Sequence, residues 1–400
     1  MNYLSDRINL LAESETLAMT RRSRELSAQG FDVINLSIGE PDFDTPYHVK
    51  EAAKEAIDQN YSHYTPVPGY PELRQAIANK LKRDNGLTYT ADQIVVSTGA
   101  KQSLSNAILC LVNPGEEVLI PTPYWVSYKE MIKLAGAKGV FIDGSIQTDF
   151  KVTPEQIEAA ITPETKVFMF SSPCNPSGTV YTFDELKAFA DVFARHPQVF
   201  IISDEIYENI NFTGKHFSIA SFEEIHDRVI VINGLSKGFA MTGWRLGYMA
   251  SNKEIAKACD KLQGQITSAT CSITQRAAIV AMNTDPAGSD DIKRMVEAFR
   301  YRRDLAITLL REVPGIRLNV PEGAFYLFPE VTSYYGKSTG DRVIFSGNDL
   351  CDYLLDTAYV AIVPGAAFGS PDCIRISYAT SEDNLREAIK RISEALSKLK

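Results

Sequence analysis

The middle of the chain alternates short apolar runs with longer stretches of helical periodicity. Seven runs rich in β-branched and aromatic residues predict strands at 94–97, 117–121, 139–143, 166–170, 199–203, 229–233 and 246–250. Several of them lack polar alternation, which is typical of strands covered on both faces. The pattern predicts βαβ units and an α/β fold, namely a three-layer αβα domain built on a mostly parallel seven-stranded sheet.

The pattern changes after Thr284. A long charged helix through Arg311 is followed by the segment VPEGAFYLFPE, a helix near 348–357, two further apolar runs, and an amphipathic helix that begins at Ser381. The segment before the first strand is expected to be helix and loop. This part of the chain predicts a separate, smaller α+β domain.

The length of the chain also favours two domains. Four hundred residues exceed the usual size of a single hydrophobic core. We expect a large domain over residues 47–285 and a smaller domain assembled from both ends of the chain, 1–46 and 286–400. A content of 44% hydrophobic and 23% charged residues is that of an ordinary folded protein.

Charge and cysteine content narrow the partners and the location. The 41 basic and 50 acidic side chains give a net charge of −9, which disfavours nucleic acid or an anionic membrane as the main partner. The six cysteines are scattered without a paired spacing, and charged residues near the N-terminus interrupt the apolar run that a signal peptide needs. We therefore expect a cytoplasmic protein that acts on small molecules.

Polar side chains follow three consecutive strands of the predicted sheet. Asn175 follows the fourth run, Asp204 and Tyr207 follow the fifth, and Lys237 and Arg245 follow the sixth. Because open parallel sheets bind ligands beyond the carboxyl ends of their strands, we expect these groups to converge. Taken alone, Asp204 could instead cap the end of its strand or bind a metal ion together with nearby glutamates. The local sequence provides few further metal ligands, and we favour a role in binding a ligand over both alternatives.

The converging groups are those that pyridoxal phosphate requires. This cofactor needs an amine for its aldehyde, a carboxylate for its pyridine nitrogen, and cationic and backbone donors for its phosphate. The segment TGAKQS, with Gly99 and Ala100, follows a strand and opens a helix, which offers free N–H groups to a phosphate. Trp125 lies just past another strand and could stack on the ring or simply fill the core.

These motifs resemble those of the fold-type-I class I and II aminotransferases, and within them the bacterial aspartate aminotransferases. The matching segments occur in the family's order along almost the whole chain: INLSIGEPDFDTP, HYTPVPGYPELRQAI, TGAKQSL, PTPYWVSY, SSPCNPSGTVY, ISDEIYE, SKGFAMTGWRLGY, PEGAFY and IRISYATSEDNL. The resemblance implies an enzyme that uses pyridoxal 5'-phosphate, adopts that fold type, and exchanges amino groups between amino acids and 2-oxo acids.

The resemblance also implies roles for the residues around the cofactor. Lys237 would be the catalytic lysine that holds the cofactor as a Schiff base, and Asp204 would pair with the pyridine nitrogen. Asn175 and Tyr207 would donate hydrogen bonds to the 3-oxygen, and Arg245 would bind the phosphate. Lys237, once released, would act as the general base, and ping-pong kinetics would result.

Further residues are assigned to the substrate by the same resemblance. Arg375 would clamp the α-carboxylate through its planar guanidinium, with Gly39 and Asn175 against the same group and Trp125 beside it. Tyr64 would reach the cofactor phosphate of a neighbouring subunit, which implies a homodimer with shared active sites.

The identity of the amino donor depends on Lys101. In the aspartate aminotransferases this position pairs with a distal carboxylate, and Ser14 and Thr16 could add hydrogen bonds. A phosphate contact and a solvated charge are the alternatives for Lys101. Some relatives that accept prephenate carry a basic residue just before this serine, whereas Glu13 stands here.

Aspartate with 2-oxoglutarate is therefore the expected substrate pair, giving oxaloacetate and L-glutamate. The alternatives are an aromatic, alanine or prephenate aminotransferase, or another enzyme that uses the same cofactor and fold. A regulator that binds the cofactor is a different class of alternative, but such regulators usually carry a DNA-binding domain for which this chain has no room.

Overall fold

The computed structural model describes residues 3–400. Its strands are β1 (Ile34–Asn35), β2 (Ile94–Ser97), β3 (Glu117–Thr122), β4 (Lys138–Asp143), β5 (Thr165–Ser171), β6 (Phe200–Asp204), β7 (Val229–Gly234), β8 (Gly247–Ala250), β9 (Tyr326–Leu327), β10 (Ser338–Thr339), β11 (Arg342–Val343), β12 (Val360–Ala361), β13 (Val363–Pro364) and β14 (Ile374–Ser377).

The α-helices are α1 (Asp6–Asn9), α2 (Glu15–Ala28), α3 (Tyr47–Asp58), α4 (Pro71–Asn85), α5 (Ala100–Leu111), α6 (Ser127–Leu134), α7 (Pro154–Ala160), α8 (Phe183–Arg195), α9 (Lys253–Ile266), α10 (Ser272–Asn283), α11 (Asp290–Arg311), α12 (Gly347–Ala358) and α13 (Glu382–Leu396). Single 3-10 turns lie at Ala91–Gln93, Ile146–Thr148, Ile219–Ser221, His226–Arg228, Thr242–Trp244, Thr332–Tyr334 and Gly365–Phe368. No helix from Tyr3 onward is both long enough and apolar enough to cross a bilayer.

The central sheet has seven strands in the order β2-β8-β7-β6-β5-β3-β4. All neighbours are parallel except β8, which runs antiparallel to β2 and β7. Each of the seven predicted runs corresponds to one of these strands, so the predicted α/β class with a mostly parallel sheet is confirmed. In the register of β5 and β6, Ser171 lies opposite Asp204. The strands that precede the reactive residues are thus direct neighbours.

The apolar runs of the central strands serve two separate cores. Phe168, Ile201 and Val231 belong to one buried cluster, while the next residues along two of these strands, Ile202 and Ile232, belong to another. Successive side chains of a strand point to opposite faces, so both faces of the sheet are covered by helices. This burial on both sides explains why the runs lack polar alternation.

A further apolar cluster collects residues from both ends of the chain. Met19 and Leu36 pack there with Phe299, Leu354 and Ile389. Short parallel pairing between β1 and β12 ties the same two parts together. The packing is compatible with a smaller domain formed by both termini, and the boundaries at 46/47 and 285/286 remain our proposal.

The helix after β5 begins at a capping box. The Thr182 side chain accepts a hydrogen bond from the Glu185 backbone N–H at 3.3 Å, and the Glu185 carboxylate accepts from the Thr182 N–H at 2.7 Å. The sequence pattern Thr182 to Glu185 predicts this arrangement, and the structure confirms it. The box fixes where α8 starts after the loop that carries Asn175.

Replacing Thr182 with Ala should lower the free energy of unfolding by about 1 kcal/mol, because a helix N–H loses its acceptor. The measurement is the shift of the urea midpoint. Thr308→Ala is the control, since its hydroxyl donates to the Asp304 carbonyl within α11 and caps no helix start. Equal effects of the two substitutions would contradict the capping argument.

Candidate active site

A cavity of about 270 Å³ lies beyond the carboxyl ends of β5, β6 and β7. Most of the residues predicted for the site line it: Gly39, Ala100, Lys101, Trp125, Asn175, Asp204, Tyr207, Lys237, Arg245 and Arg375. Ser14 and Thr16 also contribute to its wall. The structure therefore brings together residues that are separated by more than two hundred positions in sequence.

Lys237 lies in the loop after β7 and is partly buried. Its Nζ donates to the Gly39 carbonyl at 2.6 Å and lies 5.9 Å from the centre of the Tyr207 ring. Burial lowers the pKa of Lys237 to about 8, and the nearby charges of Arg375 and Arg245 act in the same direction. A lysine of this kind has a substantial neutral fraction near neutral pH and can react as a nucleophile or base.

Asp204 ends β6 and is 4% exposed. Its Oδ2 accepts from the Tyr128 hydroxyl at 2.8 Å, and its Oδ1 accepts from the Ile206 N–H at 3.3 Å. Burial raises the pKa of Asp204 to about 6, although the Tyr128 bond opposes the rise. A cationic group in the cavity would stabilise the ionised form of this buried carboxylate.

Arg375 lies in β14 and is 2% exposed, sandwiched between the rings of Tyr326 and Phe368 at 4.5 and 4.9 Å. One guanidinium nitrogen donates to the Asn175 side-chain oxygen at 3.1 Å and the other to the Ser37 carbonyl at 2.6 Å. Its Nε is buried without a hydrogen-bond partner. A buried cation with neutral partners and a free N–H is suited to an anionic ligand.

The side chains beside Arg375 form a tight wall. The hydroxyls of Tyr207 and Tyr326 are 2.9 Å apart and hydrogen-bonded. A Cβ built on Gly39 would lie 2.4 Å from the Tyr326 hydroxyl, so only glycine fits at this position. Gly39 thus packs directly against Tyr326, and its carbonyl accepts from Lys237.

The opposite end of the cavity is cationic and rich in backbone donors. Gly99 precedes α5 with φ of 85°, and a Cβ on it would lie 2.4 Å from an Arg245 guanidinium nitrogen. Arg245 itself has a positive φ of 54° and donates to the Thr242 carbonyl at 2.9 Å. The surrounding structure holds the backbone of Gly99 and Arg245 in these unusual conformations. As a result, the Arg245 guanidinium lies beside the N-terminus of α5.

Lys101 and Trp125 occupy a further side of the cavity. The Lys101 ammonium lies 4.9 Å from the centre of the Trp125 ring. Burial lowers the pKa of Lys101, and Arg245 adds to this. The Thr16 hydroxyl is buried without a hydrogen-bond partner, which leaves it available to a ligand. The positions of Lys101 and Thr16 are consistent with binding the distal group of a substrate. This role stays a prediction.

Two predicted features lie elsewhere. The Tyr64 side chain is fully exposed, and it does not line the cavity of its own chain. Glu13 pairs with Arg21 at 2.6 Å and is 57% exposed, so it does not face the cavity and cannot repel an anion there.

Sequence reasoning missed Tyr128 and Tyr326. Both stand inside motifs that were used, PTPYWVSY and PEGAFY. Tyr128 lies in the first turn of α6, whereas Trp125 precedes the helix, and their rings meet edge to face at 5.7 Å. Neither this contact nor the pairing of Tyr128 with Asp204, which spans 76 residues, follows from sequence spacing, so both required the fold.

The glutamates that make a metal site conceivable in the sequence belong to a buried ionic cluster next to Asp204, and sequence reasoning missed its other members, His216 and Lys80. Ligand atoms of Glu205, Glu208 and His216 lie within 4.8 Å of one another, in a geometry open to a metal ion. Lys80, however, forms an ion pair with Glu208. The His216 ring donates a hydrogen bond from Nε2 to the Glu205 carboxylate at 2.9 Å. These partners neutralise the carboxylates, so we interpret the cluster as structural.

The cavity fits pyridoxal phosphate by its donor set. Lys237 offers an amine with a lowered pKa, and Asp204 offers a carboxylate that lacks a cationic partner in contact with it. Arg245 and the N-terminus of α5 offer donors to a phosphate. The buried Arg375 Nε, which has no hydrogen-bond partner among residues 3–400, also fits a site that is completed by a ligand.

Comparison with known proteins gives consistent results. The family model described as aminotransferase class I and II matches residues 32–392. A bifunctional aspartate aminotransferase and glutamate/aspartate-prephenate aminotransferase of Petunia hybrida is 48% identical, over 99% of this chain and 83% of that protein. An aspartate/prephenate aminotransferase of Cereibacter sphaeroides is 47% identical, over 98% of each chain.

Solved structures agree with the sequence matches. The aspartate aminotransferase of Rhizobium meliloti superposes with a TM-score of 0.96 at 42% identity, over 100% of both chains. The aspartate aminotransferase of Thermus thermophilus, solved with maleate, gives 0.93 at 39% identity over 99% of this chain and 100% of that one.

Asp204→Asn should stabilise the protein prepared without cofactor, and the gain should depend on pH. The folded pKa of about 6 exceeds the roughly 3.9 of an unfolded aspartate, so ionisation disfavours the folded state. This penalty is absent below about pH 4, grows up to about pH 6 and is constant above. We expect a gain of about 2 to 3 kcal/mol at pH 7.5 and little at pH 4, measured by urea unfolding.

The control is Asp191→Asn, which removes an exposed carboxylate on α8. It should change the urea midpoint by similar small amounts at both pH values. A gain for Asp204→Asn that does not vary with pH would contradict the assigned burial cost.

Proposed function

The chain belongs to the class I and II aminotransferases, and we propose that it transfers the amino group of L-aspartate to 2-oxoglutarate with pyridoxal 5'-phosphate as cofactor. The products are oxaloacetate and L-glutamate. The observation that carries the proposal is the shared cavity in which Lys237, Asp204 and Arg375 are all held by uncharged hydrogen-bonding partners. Each of them is thus free to act on a ligand.

Arg375 and Asn175 orient the amino acid in this proposal. The α-carboxylate would bind the guanidinium of Arg375, which lines the cavity and is fixed by Ser37 and by the two aromatic rings. A hydrogen bond to a buried charged group contributes about 1.5–3 kcal/mol. Asn175 keeps the guanidinium plane in place and can turn its amide towards the substrate.

Lys237 moves the proton of the reaction. The cofactor, when bound, supplies an aldehyde that exchanges amino groups and a ring that accepts electrons from the substrate α-carbon. Lys237 would hold the cofactor and then take up and return the α-proton at its Nζ, since its pKa near 8 favours both steps. Asp204 would keep the cofactor ring nitrogen protonated, and Arg245 with the Gly99–Ala100 segment would hold the phosphate.

Lys101 supports an acidic substrate. It lines the side of the cavity formed by Trp125 and the N-terminal segment, and its ammonium has no acidic partner within ion-pair distance among residues 3–400. A distal carboxylate would provide that partner. The names of the relatives from Petunia, Cereibacter and Rhizobium include aspartate, and the Thermus enzyme was solved with maleate, which carries two carboxylates.

Prephenate is the second candidate amino acceptor. Two of the relatives carry that activity in their names. Leu17, Trp125 and Val126 provide apolar surface around the cavity, and Glu13 points away from it. The absence of a basic residue before Ser14 remains the feature that speaks against this substrate.

The proposal includes a homodimer with shared sites in the cytoplasm. The full exposure of Tyr64, in a segment with the exposed Tyr47 and Ile57, supports a role in contact with a second subunit. All six cysteines are unpaired, which is in keeping with a reducing compartment.

The direct test uses the purified protein with a panel of amino donors and 2-oxoglutarate. We expect aspartate to be among the best donors and ping-pong kinetics to result. Borohydride reduction should attach the cofactor covalently to Lys237, as read by peptide mass. Attachment to a different lysine, or failure to transaminate any donor, would overturn the proposal.

Lys101→Ala should reduce kcat/KM for aspartate by about 10- to 100-fold, because a charge-assisted hydrogen bond is lost. Alanine, which has no distal carboxylate, serves as the control donor and should change little. An unchanged rate with aspartate would refute the role of Lys101 and leave the aminotransferase assignment standing.

A further inference from the structure

Residues 39–45, which join the N-terminal segment to the large domain, are bound to the loop that carries Lys237. Three hydrogen bonds make this contact: Lys237 Nζ to the Gly39 carbonyl at 2.6 Å, Thr242 Oγ1 to Glu40 Oε1 at 2.5 Å, and Thr45 Oγ1 to the Ala240 carbonyl at 2.9 Å. Ala240 has a positive φ of 49°. The two segments therefore hold each other in one conformation.

Glu40 brings a negative charge to this contact. Its carboxylate is fixed by Thr242, which lines the active-site cavity, and its backbone follows the carbonyl that accepts from Lys237. No basic side chain of residues 3–400 lies within ion-pair distance of it. The Glu40 side chain is exposed to solvent, so its charge is screened by water but is not cancelled by an ion pair.

We infer that Glu40 is a positioning residue for Lys237: held by Thr242, it fixes the Gly39 carbonyl against the lysine amine and places a negative charge near that amine. The inference rests on the proposed function, in which Lys237 alternates between holding the cofactor and carrying a proton. Glu40 does not line the active-site cavity, so in this inference it acts through the lysine.

The electrostatics around Lys237 support this role. Burial lowers its pKa most strongly, and among the charged groups Glu40 raises it more than any other does. Arg375 and Arg245 lower the pKa, and Asp204 raises it weakly. Without Glu40, only the weaker effect of Asp204 would oppose the two guanidinium groups, so the pKa of Lys237 would fall and the neutral amine would dominate from a lower pH.

A chemical titration of Lys237 tests the inference without cofactor or substrate. The full chain, purified without cofactor, is labelled with isotopic acetic anhydride across pH 6 to 10, and the peptide that contains Lys237 is quantified by mass spectrometry. Glu40→Gln keeps an acceptor for Thr242 and removes only the charge. We expect its pKa for Lys237 to fall by about 0.5, which makes labelling at pH 7 about 3-fold faster.

The matched control is Asp42→Asn, which removes a charge two residues away whose carboxylate already pairs with Arg302 at 2.7 Å. Its labelling curve should coincide with that of the unsubstituted protein. A Glu40→Gln curve that coincides with it as well, or an equal shift in both variants, would overturn the inference. Either outcome is independent of transamination, so failure of this inference is distinguishable from failure of the proposed function.

Discussion

Three charged groups face one cavity without neutralising one another, and the site depends on this separation. Lys237 donates to a backbone carbonyl, Asp204 accepts from a phenol and an N–H, and Arg375 donates to an amide and a carbonyl. A direct ion pair between Asp204 and either Lys237 or Arg375 would stabilise the protein without a ligand and would make both groups of the pair unavailable to one. Burial without pairing costs free energy, which shows in the shifted pKa values of Lys237 and Asp204.

The fold maintains this separation through its topology. Asp204 ends a strand in the middle of the sheet, Lys237 follows the neighbouring strand, and Arg375 comes from a different, three-stranded sheet near the C-terminus. Apolar clusters on both faces of the large sheet and a third cluster in the terminal part hold these elements. Asp204 and Arg375 are fixed by the strands that carry them, and Lys237, in the loop after β7, is held by its hydrogen bond to the Gly39 carbonyl.

The sequence was sufficient for the sheet and for the placement of several polar residues in one cavity, because both follow from local patterns. Apolar runs predicted the seven strands, and the positions after them held Asn175, Asp204 and Lys237. The hydrogen-bonding partners around these residues could not be predicted from local patterns. Tyr128 meets Asp204 across 76 positions and His216 meets Glu205 inside an irregular loop, so neither contact follows from periodicity. The proximity of Glu40 to Lys237 likewise depends on the tertiary structure, because the N-terminal part of the chain packs against the loop that carries Lys237.

The central claim is that Lys237 and Asp204 act on opposite parts of one cofactor while Arg375 binds the substrate. A crystal structure of the protein grown with pyridoxal phosphate and maleate tests it most directly. The account predicts cofactor density continuous with the Lys237 side chain, the ring nitrogen beside Asp204, and a maleate carboxylate on Arg375. A cofactor bound away from Lys237, or oriented with its phosphate towards Asp204, would contradict it.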